Sequence, residues 1–269
     1  MSEHLQGDEL LDALEAGELR VASRASDGSW VVHAWIKNEL LRIFRSSENV
    51  VHGDPLENPL GVFVDKAALP VQRFYPARRV RIVPGGSSVR RGAHLAAGVI
   101  AMPPMYVNVG AFVGTGTMID SHALVGSCAQ IGERVHLSAA AQIGGVLEPA
   151  QARPVIVEDD AFIGGGCGIY EGVMVRARAV LSAGVVLTAS TRVFDLVREQ
   201  ELGGTRDAPL EIPEGAVVIP GTRPARGAFA GKHGLQMHCA LIVKYRDEKT
   251  DSATALEQAL RAGDGSKTP

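Results

Sequence analysis

The sequence predicts an all-β core: a left-handed parallel β-helix with a small helical N-terminal domain and a short C-terminal strand and helix. Two observations carry this. From Val83 an aliphatic residue returns every sixth position: Val83, Val89, Leu95, then Val107, Val113, Ile119, Val125, Ile131, Leu137 and Ile143, with Ala101 the one weak member. The series resumes at Val157, Ile163, Ile169, Val175, Leu181, Leu187 and Val193. The composition agrees. There are 31 glycines in 269 residues, where average usage of about 7% would give roughly 19. Period six is neither the 3.6 of a helix nor the two of a strand; it is a hexapeptide solenoid.

Each hexapeptide supplies a short strand and a turn, and three complete a triangular coil of about 18 residues. The aliphatic points inward and stacks on its equivalents in the next coils. Glycine and small polar residues serve the corners, where a positive φ or close backbone approach is needed. Between Ile143 and Val157 the interval is fourteen residues, eight more than the period. The surplus leaves the prism as a loop, and long loops on rigid scaffolds tend to carry function. We expect it to cover substrate.

The flanks divide the chain into a mainly helical domain over 1–79, the β-helix over 80–222 and an extension over 223–269. Residues 8–22 carry Leu10, Leu11, Leu14 and Leu19 at helical spacing, with Gly17 as the stop. Residues 30–44 form a second segment with Val32, Trp35, Ile36, Leu40 and Leu41 as its apolar face. Residues 198–211 are a polar excursion. Ile212 to Val218 forms one last coil edge, Cys239 to Tyr245 a strand, and residues 253–261 a short amphipathic helix before a disordered tail.

Charge and composition narrow the function. With 27 basic and 30 acidic residues the net charge is −3, so nothing points to nucleic acid. No apolar run approaches the ~18 residues of a membrane span, and the acidic start lacks the order of a signal peptide. A cytoplasmic protein is expected. Cys128, Cys167 and Cys239 have no zinc spacing and read as buried thiols. On this fold three classes are open: an acyl-CoA-dependent transferase, a γ-type carbonic anhydrase and a structural spacer. The second needs three zinc histidines. His94, His122 and His136 are the candidates within the coils, and each is more simply a polar turn residue.

The longer motifs are more specific. Tyr106-Val107-Asn108-Val109-Gly110-Ala111, Gly116-Thr117-Met118-Ile119-Asp120, Val125-Gly126-Ser127-Cys128-Ala129-Gln130-Ile131-Gly132 and Gly144-Gly145-Val146-Leu147-Glu148-Pro149 resemble the tetrahydrodipicolinate N-succinyltransferase family. Outside the repeat, Trp35-Ile36-Lys37 and Cys239-Ala240-Leu241-Ile242-Val243-Lys244 resemble it too. The resemblance spans roughly residues 10–261. It implies a homotrimer with acyl-CoA lying in the cleft between prisms, no metal, and an amine of an amino-acid-like acceptor attacking the thioester.

Carried over residue by residue, Asp120 is the acceptor-binding aspartate, as orienter or base; alternatively it caps its own turn. Arg81 is the substrate-binding arginine, able to hold a carboxylate bidentately, or else a solvated arginine. Gly144, Gly145, Ala183 and Gly184 line the CoA groove or are ordinary corners. Lys244 meets CoA phosphates or is a solvated strand-edge lysine. The match breaks at several places around the expected active site, among them 113–117, 120–122 and 138–145, and most plainly at 164–173. Where the family has G-A-R-S-E-V-V-E-G-V, this chain reads Gly164-Gly165-Gly166-Cys167-Gly168-Ile169-Tyr170-Glu171-Gly172-Val173. The arginine is Gly166 and the first glutamate, implicated in catalysis, is Gly168; only Glu171 remains, as a candidate catalytic carboxylate in its place. A tryptophan after Asp120 is His122, a candidate replacement base or a turn histidine. Nothing near Cys167 would lower its pKa toward a nucleophile. Two readings follow: the family reaction with succinyl-CoA, or a paralogue that acylates another amino acid, as in specialised pathways of the tabtoxin type.

Overall fold

In the computed structural model, which describes residues 4–53, 63–205 and 207–247, the repeat is a parallel β-helix. Its strands are two residues long, and the second residue of each points inward and is buried, as in Phe112–Val113 and Leu124–Val125. They stack into three parallel ladders, one per face of the prism. The Val125 face runs Ser88–Val89, Tyr106–Val107, Leu124–Val125, Gln142–Ile143, Gly168–Ile169 and Val186–Leu187. The Ile131 face contains His94–Leu95, Phe112–Val113, Gln130–Ile131, Ile156–Val157, Met174–Val175 and Glu211–Ile212. The Ile119 face starts at Arg81–Ile82 and continues through Met118–Ile119 and His136–Leu137 to Val180–Leu181. The inward aliphatics form one continuous core, each contributing roughly 1.5–3 kcal/mol of burial.

Partners across a ladder are 18 residues apart, as Tyr106 and Leu124 are. Gln130 pairs with Ile156, 26 residues on, so the eight-residue surplus is ejected without disturbing register. Two members of the series are corrected. Ile82, not Val83, pairs with Ala101, because the turn through Pro84, Gly85 and Gly86 is one residue longer than the others. Val193 keeps the period but has left the ladder. Ile212 takes the place beside Val175, and Val193 pairs instead with Ala240.

The corners also depart from expectation. The third residue after most of the inward aliphatics is left-handed. That position is Gly at 110, 116, 166 and 184, but His122 (φ 62), Cys128 (φ 67), Arg134 (φ 53) and Ala140 (φ 59) elsewhere. The glycines that follow the aliphatics answer a different need. A Cβ on Gly126 would lie 2.2 Å from the Gly145 nitrogen, so close backbone approach demands it.

Helix α1 (Gly7–Ala16) ends at Gly17, which is left-handed at φ 80. Within 30–44 the expected segment divides. Trp30–Val32 is a strand paired with Ala22–Arg24, and helix α2 spans Ala34–Ser46. Both helices pack Leu10, Leu11, Leu14, Ile36, Leu40 and Ile43 onto Val109 and Cys128 of the prism. After the last coil, Ala216–Pro224 pairs antiparallel with Gln236–Tyr245, and a short helix α3 (Ala228–Lys232) lies in the connection. The expected helix over 253–261 and the tail lie outside the described residues.

Candidate active site

Asp120 and His122 sit together on the edge between the Ile119 and Val125 faces. Asp120 is half-buried, and its Oδ1 accepts the Ser121 N–H at 2.7 Å, so it does cap its own turn while its other oxygen has no hydrogen-bond partner among the described residues. His122 is exposed. Its backbone N–H donates to the Pro104 carbonyl at 2.5 Å, and its ring has no partner among the described residues.

The corner stacks coil on coil. Ala140 N–H donates to the Ser121 carbonyl (2.8 Å), Gly166 N–H to that of Ala139 (2.9 Å), and Gly184 N–H to that of Gly165 (3.0 Å). His122, Ala140, Gly166 and Gly184 therefore lie one above another. A Cβ on Gly166 or Gly184 would meet nothing within 4 Å. Above His122 the edge is thus an open strip floored by small residues, with exposed Ala183 beside it. Sequence reasoning found Ala183 and Gly184. It missed Ala140, and it read Gly166 only as a lost arginine, because the strip exists only once residues 18 or 26 apart are stacked.

Arg81 opens the Ile119 face, exposed and without a side-chain partner among the described residues. It shares a ladder with Met118, two strands away, roughly 10 Å along the axis at about 4.8 Å per strand. Arg81 and Asp120 therefore belong to the same side of the prism. Lys244 lies on the C-terminal strand, and its Nζ pairs with Asp247 at 3.1 Å.

Gly144, Gly145 and Glu171 are on the other border of the Val125 face. Glu171 is exposed and left-handed (φ 54), and its Oε2 accepts the Ala189 N–H at 3.1 Å. It lines a cleft of about 410 Å³ with Val146, Glu148, Pro149, Arg153 and Ser190. The roof is the ejected loop, whose C-terminal half is tied down from two sides. Arg153 donates to the Gly172 carbonyl at 2.8 Å and pairs with Glu211. From α2, fully buried Lys37 donates to the carbonyls of Pro149 (3.3 Å) and Ala152 (2.9 Å). Burial pushes the Lys37 ammonium below the usual lysine range. Sequence reasoning missed Lys37 as a loop anchor, since lysines are rarely buried. Lys37→Ala strands two carbonyls and opens a cavity. We expect a loss of about 2–4 kcal/mol, read as a lower midpoint in denaturant unfolding.

The histidines of the zinc alternative are separated within the chain. His94 stacks on Phe112 of the Ile131 face, with Nδ1 2.9 Å from the Glu15 carbonyl, and His136 stacks on Phe162 of the Ile119 face. Among the described residues no group of three or more His, Cys, Asp and Glu side chains is placed to hold a metal ion. The three cysteines are free and buried. Cys167 donates its S–H to the Ser182 carbonyl at 3.0 Å, and burial pushes its thiol up, as expected of a structural residue.

Comparison with known proteins decides among the acyltransferase, carbonic anhydrase and spacer classes. Residues 7–45 match the model of the tetrahydrodipicolinate N-succinyltransferase N-terminal domain, and residues 154–189 that of the hexapeptide repeat of succinyl-transferase. The 2,3,4,5-tetrahydropyridine-2,6-dicarboxylate N-succinyltransferase of Paramagnetospirillum magneticum is 45% identical over 255 residues, 93% of this chain and 87% of that protein. The chain belongs to the tetrahydrodipicolinate N-succinyltransferase family. The Nitrobacter hamburgensis protein of the same name is 46% identical, over 94% of this chain and 88% of its own. A solved structure from Campylobacter jejuni, described as a 2,3,4,5-tetrahydropyridine-2-carboxylate N-succinyltransferase, superposes with a TM-score of 0.56 at 18% identity. That match covers 94% of this chain and 65% of the other, and it supports the fold. No helix among the described residues of this succinyltransferase-family chain is long and apolar enough to cross a membrane.

Proposed function

We propose that this family member transfers the acyl group of acyl-CoA, succinyl-CoA first, to the amine of an amino-dicarboxylate, with ring-opened tetrahydrodipicolinate as the leading acceptor. The observation that carries the reading is the Asp120–His122 corner beneath the open strip of Ala140, Gly166 and Gly184. The strip gives the pantetheine arm a path with no side chain across it, and it ends at the two groups able to handle an ammonium.

In this reading Asp120 orients the amine through its uncommitted oxygen, Arg81 takes an acceptor carboxylate, and the His122 imidazole removes one ammonium proton. The nitrogen lone pair attacks the thioester carbonyl and the C–N bond forms. Backbone N–H groups along the edge are the donors suited to the oxyanion. As collapse breaks the C–S bond the nitrogen releases its second proton to water, leaving the neutral amide, and CoA leaves as the thiol with the proton carried by His122. No step calls on a metal. Glu171, the other carboxylate considered, serves the opposite border, where it caps a corner and lines the cleft beneath the loop. Gly144 and Gly145 floor that border, and Lys244 remains a candidate for the CoA phosphates in competition with Asp247. A homotrimer suits this layout, because a neighbouring prism against the Val125 face would join the two borders into one cleft. CoA thioesters as co-substrates suit the cytoplasm.

One observation favours a second reading, a different amino-acid acceptor in specialised metabolism such as antibiotic biosynthesis. Gly166 and Gly168 stand where the family carries an arginine and a glutamate. Release of CoA thiol, measured with succinyl-CoA and acetyl-CoA against tetrahydrodipicolinate and a panel of amino acids, separates the two. Turnover of tetrahydrodipicolinate with succinyl-CoA establishes the first. Turnover of another amine alone establishes the second.

A further inference from the structure

Tyr170 follows the Gly168–Ile169 strand, on the Gly144 border of the Val125 face. Its ring does not point away from the prism. It folds back over Gly168, two residues earlier, and over Gly144 of the preceding coil. A Cβ on Gly168 would lie 2.5 Å from the ring Cε2 and 2.9 Å from both Cζ and the hydroxyl oxygen; one on Gly144 would lie 2.8 Å from Cδ1. The ring therefore fills the space that any side chain at 168 requires. Tyr170 is half-buried, and its hydroxyl has no hydrogen-bond partner among the described residues. In the same ladder Gln142 is occupied, its amide donating to the His122 and Ala140 carbonyls at 3.2 and 3.3 Å. A ligand that reaches from the Asp120–His122 corner toward the Gly144 border passes over a flat aromatic ring that carries one uncommitted donor.

Building on the acyltransferase reading, we propose that Tyr170 determines acceptor specificity: its ring supports the aliphatic chain of the amino-acid acceptor, and its hydroxyl donates to a carboxylate at the far end of that chain. Gly144 and Gly168 are glycine so that the ring can lie there. The recognised class is an amino-dicarboxylate rather than an amine with a neutral or cationic tail. A hydroxyl donor answers a carboxylate without adding charge, and a hydrogen bond to a charged group is worth about 10- to 100-fold in affinity.

The test titrates 2-aminopimelate, a stable linear amino-dicarboxylate, into the protein saturated with CoA, with binding read by calorimetry; turnover is read by thiol release with succinyl-CoA in place of CoA. Tyr170→Phe, which keeps the ring and the packing, should weaken 2-aminopimelate binding at least tenfold and raise KM in parallel with little change in kcat. Affinity for 2-aminoheptanoate, which lacks the far carboxylate, should not move. Gly168→Glu should displace the ring and weaken binding as much, with little further loss when Tyr170→Phe is added to it. Thermal unfolding shows that each variant is folded, and Tyr170→Phe decides the matter if Gly168→Glu is not. Equal loss for both ligands, or no loss for either, overturns the proposal while leaving the acyltransferase reading in place if the parent turns over. Binding that follows the predicted pattern in a parent without turnover upholds the recognition site and overturns the reaction. A parent that neither binds nor turns over overturns both.

Discussion

Asp120→Asn should lower kcat/KM for the acceptor by about 10²- to 10⁴-fold, with the unfolding midpoint nearly unchanged. The amide keeps an oxygen where Oδ1 now accepts the Ser121 N–H, so the corner has no reason to rearrange. What disappears is the negative charge that holds and orients an ammonium beside the thioester. Steady-state kinetics with acceptor varied at saturating acyl-CoA measures this, and a chemical-denaturation curve on the same sample checks the fold. A drop in stability with intact kinetics would make Asp120 a turn residue and nothing more.

His122→Ala carries the second large effect. The imidazole is exposed and bonds to nothing described, so its removal leaves no hole and no orphaned group. Histidine and alanine both carry a Cβ, so the left-handed backbone at φ 62 is as strained after the change as before. Stability should hold while kcat falls by about 10²- to 10⁴-fold, the usual worth of a positioned general base. Single-turnover kinetics with pre-bound acyl-CoA reads the chemical step directly. An unchanged single-turnover rate would move the base to another group and leave His122 as a corner residue.

The repeat was legible because its period belongs to one architecture, and even the size of the ejected loop followed from counting. Where the reading slipped, the pattern was satisfied but the chain had other obligations. Val83 is in phase, yet Pro84, Gly85 and Gly86 widen the first turn and bring Ile82 into the ladder. Val193 is in phase after the chain has already left the prism. Trp30–Val32 has apolar residues that suit a helix face, but they serve as a strand against Ala22–Arg24.

The site divides in the same way. Asp120 and His122 are neighbours in sequence, so a local motif could show them. The small strip above them is assembled from three different coils, and no local motif contains it. The two glycines that look like losses acquire a structural meaning only in three dimensions. Gly166 keeps the strip open, and Gly168 makes room for Tyr170. Lys37 is hidden for a physical reason: burial of an ammonium is costly, and only the two loop carbonyls that it satisfies explain why it is tolerated.

Acyl transfer from CoA to an amine at the Asp120–His122 corner has a two-sided signature, a thiol released and an amide formed. It is tested most directly by incubating the parent and Asp120→Asn with succinyl-CoA, with and without tetrahydrodipicolinate, and following both thiol release and the acyl product by mass spectrometry. Thiol release should depend on the acceptor and be matched one for one by an N-succinylated acceptor, and both should be strongly reduced in Asp120→Asn. Amide formation that is the same in the two proteins, or thiol release that ignores the acceptor, would contradict it.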